Sequence, residues 1–237
     1  MRILVVNDDG IKAPGIRRLA QMAAGLGEVW VVAPAEQCSA MSQRITVRGD
    51  LEVKPYDFPV SGVTAYSVGG TPADCVKVAL GCLMTEKPDI VFSGINAGYN
   101  VGRDILYSGT IGAAMEALCG GVPAIAFSVA EEDECEVLDA YLEPVAKELI
   151  SKKLPENEIW NVNFPGCTLE EYKGILWDRI PDQNQYYRDN YKRTDRVDGS
   201  CIFSAAGLPE TEAADGTDAG AVLSNYISIG TIKNMII

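Results

Sequence analysis

The chain of 237 residues contains no histidine. This absence excludes Ser-His-Asp and Cys-His catalysis, histidine general acids and histidine-based zinc sites. The seven cysteines are scattered, stand mostly among apolar neighbours and form no CxxC pair, so we interpret them as reduced thiols. Any metal in this protein is therefore expected to be held by oxygen ligands, with thiolates as the alternative.

Positive charge is also scarce. Twenty Lys and Arg residues against 33 Asp and Glu residues give a formal net charge of −13, which disfavours binding to duplex nucleic acid or to an anionic membrane. The chain has no apolar run long enough to span a bilayer, and its start does not resemble a secretory leader. We therefore predict a cytoplasmic protein. A small anionic substrate would need a local cluster of positive charge to bind to it.

Apolar runs alternate with helical patterns along the first two thirds of the chain. The strand-like run RILVV at residues 2–6, the helical segment 16–27 and the strand-like run EVWVVAP at 28–34 form a βαβ unit. A helix start is indicated at Thr71, because proline and an acidic residue follow it at the positions that favour a helical first turn. The pattern predicts an α/β fold with a Rossmann-like, doubly wound, mostly parallel sheet.

The pattern weakens towards the C-terminus. We expect one domain, residues 1–237, with an α/β core over residues 1–165 and a β-rich extension over 166–237 that serves in oligomerisation. Residues 46–58 have the alternation and the turn residues of a β-hairpin, which we expect to lie away from the main sheet.

In an open parallel sheet, ligands bind outside the carboxyl ends of the strands. Four polar segments follow predicted strands or open a predicted helix, and all four could converge on one crevice. They are NDDG at 7–10, AEQCSAMSQR at 35–44, SGINAGYN at 93–100 and YSGT at 107–110.

Asp8 and Asp9 are adjacent carboxylates at the predicted end of the first strand. Two ionised carboxylates about 4 Å apart repel each other by roughly 1 kcal/mol in water and by more near a protein surface, and a divalent cation turns that penalty into attraction. Asn96, together with Ser39 or Ser42, would complete a set of oxygen ligands that suits Mg²⁺, Mn²⁺ or Ca²⁺. The alternative for an isolated Asp-Asp-Gly is a solvated turn.

Ser108 and Thr110 open a predicted helix whose hydroxyls and free amides could hold a phosphate, although Ser-Gly-Thr is also simply a good helix cap. The two glycines and two asparagines of SGINAGYNVG permit close approach of main-chain amides to an anion, or an ordinary structural turn. These segments alone do not decide between the two interpretations.

Together the segments resemble the SurE family of survival-protein nucleotidases. The similarity runs from MRILVVNDDGIKAPGI through VVAPAEQCSAMSQRIT and GTPADCV to PDIVFSGINAGYNVGRDILYSGTIGAAMEAL and VPAIAFS, and resumes at WNVNFP and GTDAGAVLSNYISI. It implies a metal-dependent phosphomonoesterase that acts on nucleoside monophosphates, on 5′ and in many members also on 3′ esters, with a divalent cation held by two aspartates, a serine and an asparagine.

The resemblance implies roles for particular residues. The metal ligands match Asp8, Asp9, Ser39 and Asn96, which selects Ser39 over Ser42, and the catalytic set is then Asp8, Asp9 and Asn96. The residues expected to contact phosphate or substrate are Ser42, Asn100, Ser108, Gly109 and Thr110. One Mg²⁺ or Mn²⁺ per subunit and a homodimer or homotetramer are implied as well.

Three alternatives remain open at this stage. Asp8 or Asp9 could form an aspartyl-phosphate, although the chain reads NDDG and lacks the DxDGT arrangement typical of such phosphatases. The protein could bind metal and phosphate without catalysis, as a regulatory protein. A receiver-like signalling domain fits less well, because the chain is about twice as long as such a domain and has SGIN where a phosphoacceptor aspartate would stand.

Overall fold

The computed structural model describes residues 1–130 and 135–236. Within them the chain forms thirteen strands and five α-helices. The strands are β1 (Arg2–Val6), β2 (Glu28–Pro34), β3 (Val53–Pro55), β4 (Thr64–Val68), β5 (Ile90–Ala97), β6 (Ala124–Val129), β7 (Glu158–Phe164), β8 (Gly174–Arg179), β9 (Tyr187–Arg188), β10 (Tyr191–Asp195), β11 (Cys201–Ala205), β12 (Leu208–Pro209) and β13 (Tyr226–Lys233). The helices are α1 (Pro14–Ala24), α2 (Pro72–Val78), α3 (Gly109–Cys119), α4 (Glu136–Ser151) and α5 (Asp218–Leu223).

Nine strands build one sheet in the order β3-β4-β2-β1-β5-β6-β7-β13-β8. The chain moves outward from β1 through β2 to β4 and then returns to β5 on the other side of β1, so the strand order reverses between β1 and β5. The pairings from β4 across to β7 are parallel. The predicted doubly wound, mostly parallel sheet is confirmed.

Helices cover both faces of the sheet because the central strands are apolar on both sides. Leu19 of α1 and Leu138 of α4 pack on one face in a single core cluster. Val76 of α2 and Ala114 of α3 pack on the other face in a second cluster. None of the described helices combines the length and the apolarity that crossing a bilayer requires.

Helix α2 begins where the sequence predicts it. The side chain of Thr71 accepts a hydrogen bond from the backbone N–H of Asp74, and the carboxylate of Asp74 accepts one from the backbone N–H of Thr71. This reciprocal capping box satisfies two of the free amides at the helix start. One turn of π-helix, at residues 79–83, continues α2.

Two features differ from the sequence prediction. Residues 46–52 form no strand, and β3 instead pairs antiparallel with β4 at the edge of the main sheet. Beyond residue 165, β8 and β13 join the main sheet, with β13 inserted antiparallel to β7 and parallel to β8. The half-exposed residues of β8 have no clear alternation, which is why a periodicity argument overlooks this strand.

The part of the chain that leaves the sheet lies between β8 and α5. We call residues 182–217 the arm, and residues 182–187 with 210–217 its base. Two antiparallel pairs form the arm, β9 with β12 and β10 with β11. Every residue of β10 and β11 is exposed to solvent, so this hairpin projects from the body of the protein.

Candidate active site

The candidate site lies at the carboxyl ends of β1 and β5, where the strand order reverses. Loops on the two sides of such a point diverge and leave a crevice. Residues 7–10 follow β1, residues 35–44 follow β2, Asn96 is near the end of β5, and residues 107–110 open α3. The fold therefore brings all four polar segments to one edge of the sheet.

Asp8 is nearly buried, with 5% of its surface exposed. The hydroxyl of Thr110 donates a hydrogen bond of 2.6 Å to its Oδ1. The pKa of Asp8 is raised to about 6, mainly because an ionised carboxylate loses its hydration on burial. The Thr110 hydrogen bond lowers the pKa and the negative charge of Asp9 raises it, both by less than burial does. The ionised form of Asp8 is thus destabilised in the fold, and a positive charge beside it would stabilise it.

Asp9 is half-buried beside it. Burial raises its pKa as well, and the backbone N–H of Ala97 partly offsets that by donating to Oδ2 at 3.3 Å. This contact joins the loop after β1 to the end of β5. The two carboxylates therefore face different neighbours, Asp8 the start of α3 and Asp9 the end of β5.

Ser39 is held near Asp9 by a residue that the sequence reasoning missed. The side-chain amide of Gln37 donates to Ser39 Oγ at 3.1 Å and lies 3.5 Å from Asp9 Oδ1. The backbone N–H of Cys38 also donates to the carbonyl of Asp8 at 2.7 Å. These contacts connect the loop after β2 to the two aspartates. In the sequence, the one sign of this role of Gln37 is its position between the end of β2 and Ser39.

Asn96 lies near the end of β5, at an irregularity in the pairing of β5 with β6. Its side-chain N–H donates to the carbonyl of Gly98 at 2.7 Å. This hydrogen bond fixes the amide nitrogen and leaves Oδ1 as the atom available to a cation or a ligand. Asn96 is half-buried, as is Asp9.

The start of α3 contacts Asp8 directly. Ser108 caps the helix by accepting a hydrogen bond from the backbone N–H of Ile111 at 3.1 Å. A Cβ placed on Gly109 would lie 2.8 Å from Cβ of Asp8 and 2.9 Å from its Oδ2, so only glycine allows this approach. The Ser-Gly-Thr segment therefore both caps α3 and lines the crevice. Because helix starts favour anions, this side of the crevice suits a negatively charged group.

The side chains of Ser42 and Asn100 are engaged with other protein groups. Ser42 Oγ donates to the carbonyl of Leu106 at 2.8 Å. Asn100 is 6% exposed, and its amide donates to Ser128 Oγ at 2.8 Å. In this arrangement the two side chains hold neighbouring backbone and strand groups in place.

The donor set near Asp8 and Asp9 fits a hard cation. It consists of two carboxylates, an amide oxygen and a hydroxyl, which suit Mg²⁺ or Mn²⁺ better than zinc or copper. No group of three or more His, Cys, Asp or Glu side chains placed for a metal occurs within residues 1–130 and 135–236.

A groove of about 890 Å³ opens beside Asp9. Gln37 and Ala97 line it near the site; Lys12, which precedes α1, and Arg17 of α1 also line it. Arg18 also lines the groove, and its guanidinium pairs with Asp139 at 2.6 Å. The net charge of the chain is −13. Lys12 and Arg17 nevertheless place positive charge beside the site, and such local positive charge attracts anions.

Comparisons with known proteins show which family the chain resembles. A family model described as "Survival protein SurE" matches residues 3–187. The chain is 42% identical over 236 residues to "5′-nucleotidase SurE" of Carboxydothermus hydrogenoformans, covering 97% of this chain and 89% of that protein. It is 37% identical over 235 residues to the protein of the same name from Flavobacterium psychrophilum, covering 98% and 91%. The crystal structure of the SurE protein from Aquifex aeolicus superposes with a TM-score of 0.84 at 34% identity, covering 100% of this chain and 95% of that one.

Proposed function

Since the chain belongs to the SurE family, we propose that it is a 5′-nucleotidase, a hydrolase that releases phosphate from nucleoside monophosphates. The proposal is supported by one arrangement above all: the carboxylate of Asp8 lies against the start of α3 while Asp9 is joined to Ser39 through Gln37. The proposed cation-binding site and the start of α3, which favours anions, thereby lie in one crevice. Hydrolysis of 3′ esters is proposed as a second activity of the same site.

We assign the cation, one Mg²⁺ or Mn²⁺ per subunit, to Asp8, Asp9, Ser39 and Asn96. Asp8 supports this assignment, because a buried carboxylate with a raised pKa is stabilised by a positive charge. When bound, such a cation supplies charge neutralisation at the phosphate and lowers the pKa of a water molecule.

The residues of the chain bind and orient the substrate. The free amides at the start of α3, with Ser108, Gly109 and Thr110, are proposed to hold phosphate oxygens, and Thr110 also keeps Asp8 in place through its hydroxyl. Ser42 and Asn100 contribute by holding the loops on which the binding groups stand. Catalysis then rests mainly on positioning and electrostatics, as is general for phosphoryl transfer.

The decisive experiment assays purified protein with p-nitrophenyl phosphate and nucleoside monophosphates in Mn²⁺, Mg²⁺ or EDTA, beside Asp9→Asn. We expect turnover that needs metal and that falls by at least about 100-fold in Asp9→Asn. Equal turnover with metal and with EDTA would exclude the metal-dependent mechanism. No turnover of any substrate would favour the regulatory, non-catalytic alternative.

The aspartyl-phosphate mechanism is tested separately. Acid quenching during turnover of a ³²P-labelled substrate would trap label on the protein if Asp8 or Asp9 were phosphorylated. We expect no trapped label, because Asp8 Oδ1 is already occupied by the Thr110 hydroxyl and the carboxylate is buried.

We also propose that the protein works in the cytoplasm as a homodimer or homotetramer. None of the seven cysteines, all of which lie within the described residues, takes part in a disulfide, which supports a reducing compartment. The exposed hairpin of the arm carries Tyr191, 59% exposed, and Phe203, 58% exposed, and exposed apolar side chains on a projecting hairpin favour a protein contact. Light scattering on the wild type and on Phe203→Asp would test the contact, since the variant is expected to dissociate.

A further inference from the structure

The two halves of the candidate site are joined by one stretch of chain. We call residues 98–107 the connecting segment: it begins two residues after Asn96 and ends immediately before Ser108, the cap of α3. Its position therefore determines how far the proposed ligand Asn96 lies from the start of α3. Anything that fixes this segment also fixes the crevice.

The base of the arm holds the connecting segment through Asp104. Its Oδ2 accepts hydrogen bonds from the backbone N–H groups of Tyr186 at 2.9 Å and Tyr187 at 2.8 Å. The backbone N–H of Arg103 donates to the carbonyl of Asn184 at 3.0 Å. Three consecutive contacts thus join the segment to residues more than 80 positions away in the sequence.

A second carboxylate, Asp218 at the start of α5, completes the connection. It is 3% exposed and accepts hydrogen bonds from the backbone N–H groups of Gly102 at 3.1 Å, Asp182 at 3.0 Å and Ala219 at 2.7 Å. Gly102 has φ +57°, and a Cβ there would lie 2.4 Å from the carbonyl oxygen of Asn184. The segment and the base of the arm are therefore in contact too close for any side chain at this position.

We propose that Asp104 and Asp218 are positioning residues for the phosphatase reaction, so that the base of the arm is a working part of the active site. The inference rests on the proposed function. Both carboxylates act on the connecting segment by accepting backbone N–H groups, and hydrogen bonds to ionised carboxylates are the stronger kind. Neither residue belongs to the presumed cation or phosphate ligands, so each affects catalysis only through the geometry of the crevice.

The role differs from a general contribution to stability. A displacement of about 1 Å at reacting groups can cost about 100-fold in rate, whereas a residue that only stabilises the fold lowers the melting temperature and leaves the turnover of the folded protein unchanged. Release of the connecting segment should move Asn96 relative to α3. We therefore expect kcat and the Mn²⁺ concentration required for activation to change more than KM.

The test compares Asp104→Ala, Asp104→Asn and Asp198→Ala. Asp104→Ala removes both hydrogen bonds and should lower kcat by about tenfold or more and raise the Mn²⁺ requirement. Asp104→Asn keeps a carbonyl oxygen that can accept both N–H groups, so it should stay within about threefold of wild type. Asp198→Ala is the matched control, because Asp198 Oδ1 accepts the N–H and the hydroxyl of Ser200 inside the arm and does not reach the connecting segment.

Amide hydrogen exchange in metal-free protein gives a readout that does not depend on activity. Residues 98–107 should exchange faster in Asp104→Ala than in wild type and should be unchanged in Asp198→Ala. If the wild type lacks phosphatase activity, the proposed function fails, and the exchange result and Mn²⁺ binding still decide whether these carboxylates hold the site.

A second variant covers the case in which Asp104→Ala does not fold. Asp218→Asn conserves size, but the amide N–H₂ that replaces Oδ2 would lie 3.1 Å from the backbone N of Gly102, one donor against another. The variant should therefore also lower kcat and loosen residues 98–107. If the folded variants have the same kcat, Mn²⁺ requirement and exchange rates as the wild type, the proposal is overturned. An equal loss of kcat in Asp198→Ala would overturn it as well.

Discussion

Replacing Asp8 with asparagine should stabilise the metal-free protein while abolishing its activity. Burial raises the pKa of Asp8 from the ordinary 3.8 to about 6 in the folded chain. At roughly 1.4 kcal/mol per pH unit, ionised Asp8 costs the folded state about 3 kcal/mol. Asparagine keeps an oxygen for the Thr110 hydroxyl and carries no charge that must be desolvated.

The sign of the pH dependence follows from the same shift. Because the folded pKa lies above the unfolded one, the folded state binds the proton of Asp8 more tightly. Below about pH 4, Asp8 therefore does not lower the free energy of unfolding. Between about pH 4 and 6 its ionisation lowers that free energy progressively, and above that range the loss is constant. The advantage of Asp8→Asn should accordingly be absent at pH 4 and full at pH 7.5.

Denaturant or thermal unfolding in EDTA at both pH values measures the effect. For a chain of this size, 3 kcal/mol corresponds to an increase of about 6 to 12 °C in melting temperature. The exposed Asp57→Asn serves as the control and should change little. Added Mn²⁺ should stabilise the wild type more than Asp8→Asn, because a ligand that binds only the folded state stabilises it. If Asp8→Asn melts at or below the wild-type temperature at pH 7.5 in EDTA, or gains as much at pH 4, the reasoning is wrong.

Two further substitutions probe the contact between α3 and Asp8. Gly109→Ala should lower kcat/KM by about tenfold or more, because the new Cβ would displace Asp8; Gly81→Ala, which meets no atom within 4 Å, should leave it unchanged. Thr110→Val removes the hydrogen bond that lowers the pKa of Asp8, so the acid limb of the kcat/KM profile should move up by about one pH unit. Thr110→Ser keeps the hydroxyl and should retain the wild-type limb; an unshifted limb in Thr110→Val would contradict the assigned role.

Much of the α/β core could be predicted from the sequence because the signals are local. The β-branched runs of β1 and β2, the capping residues around Thr71 and the helical spacing of α1 each act within a few residues. The arrangement of β13 between β7 and β8 depends instead on pairing across more than 50 residues, which no local pattern encodes. The expected hairpin at 46–58 was wrong for a different reason: residues 46–52 form no strand, and β3 pairs with β4, which lies beyond the predicted hairpin.

The candidate site shows the same division. Asp8 and Asp9 could be placed at a ligand-binding edge from the sequence, because a strand followed by Asp-Asp-Gly within a βαβ unit ends there. The sequence did not reveal that Thr110 donates to Asp8 or that Gln37 joins Asp9 to Ser39. Such contacts depend on how loops from separate strands meet.

The residue types present already limit the chemistry available to this protein. Without histidine and with paired aspartates at a strand end, oxygen ligands and a hard cation are the available means. How these groups are held depends on the folded chain, in which Thr110 donates to Asp8 and Asp104 accepts backbone N–H groups from the base of the arm. Residue type sets charge and ligand character, whereas distances and burial arise only when segments far apart in the sequence are packed together.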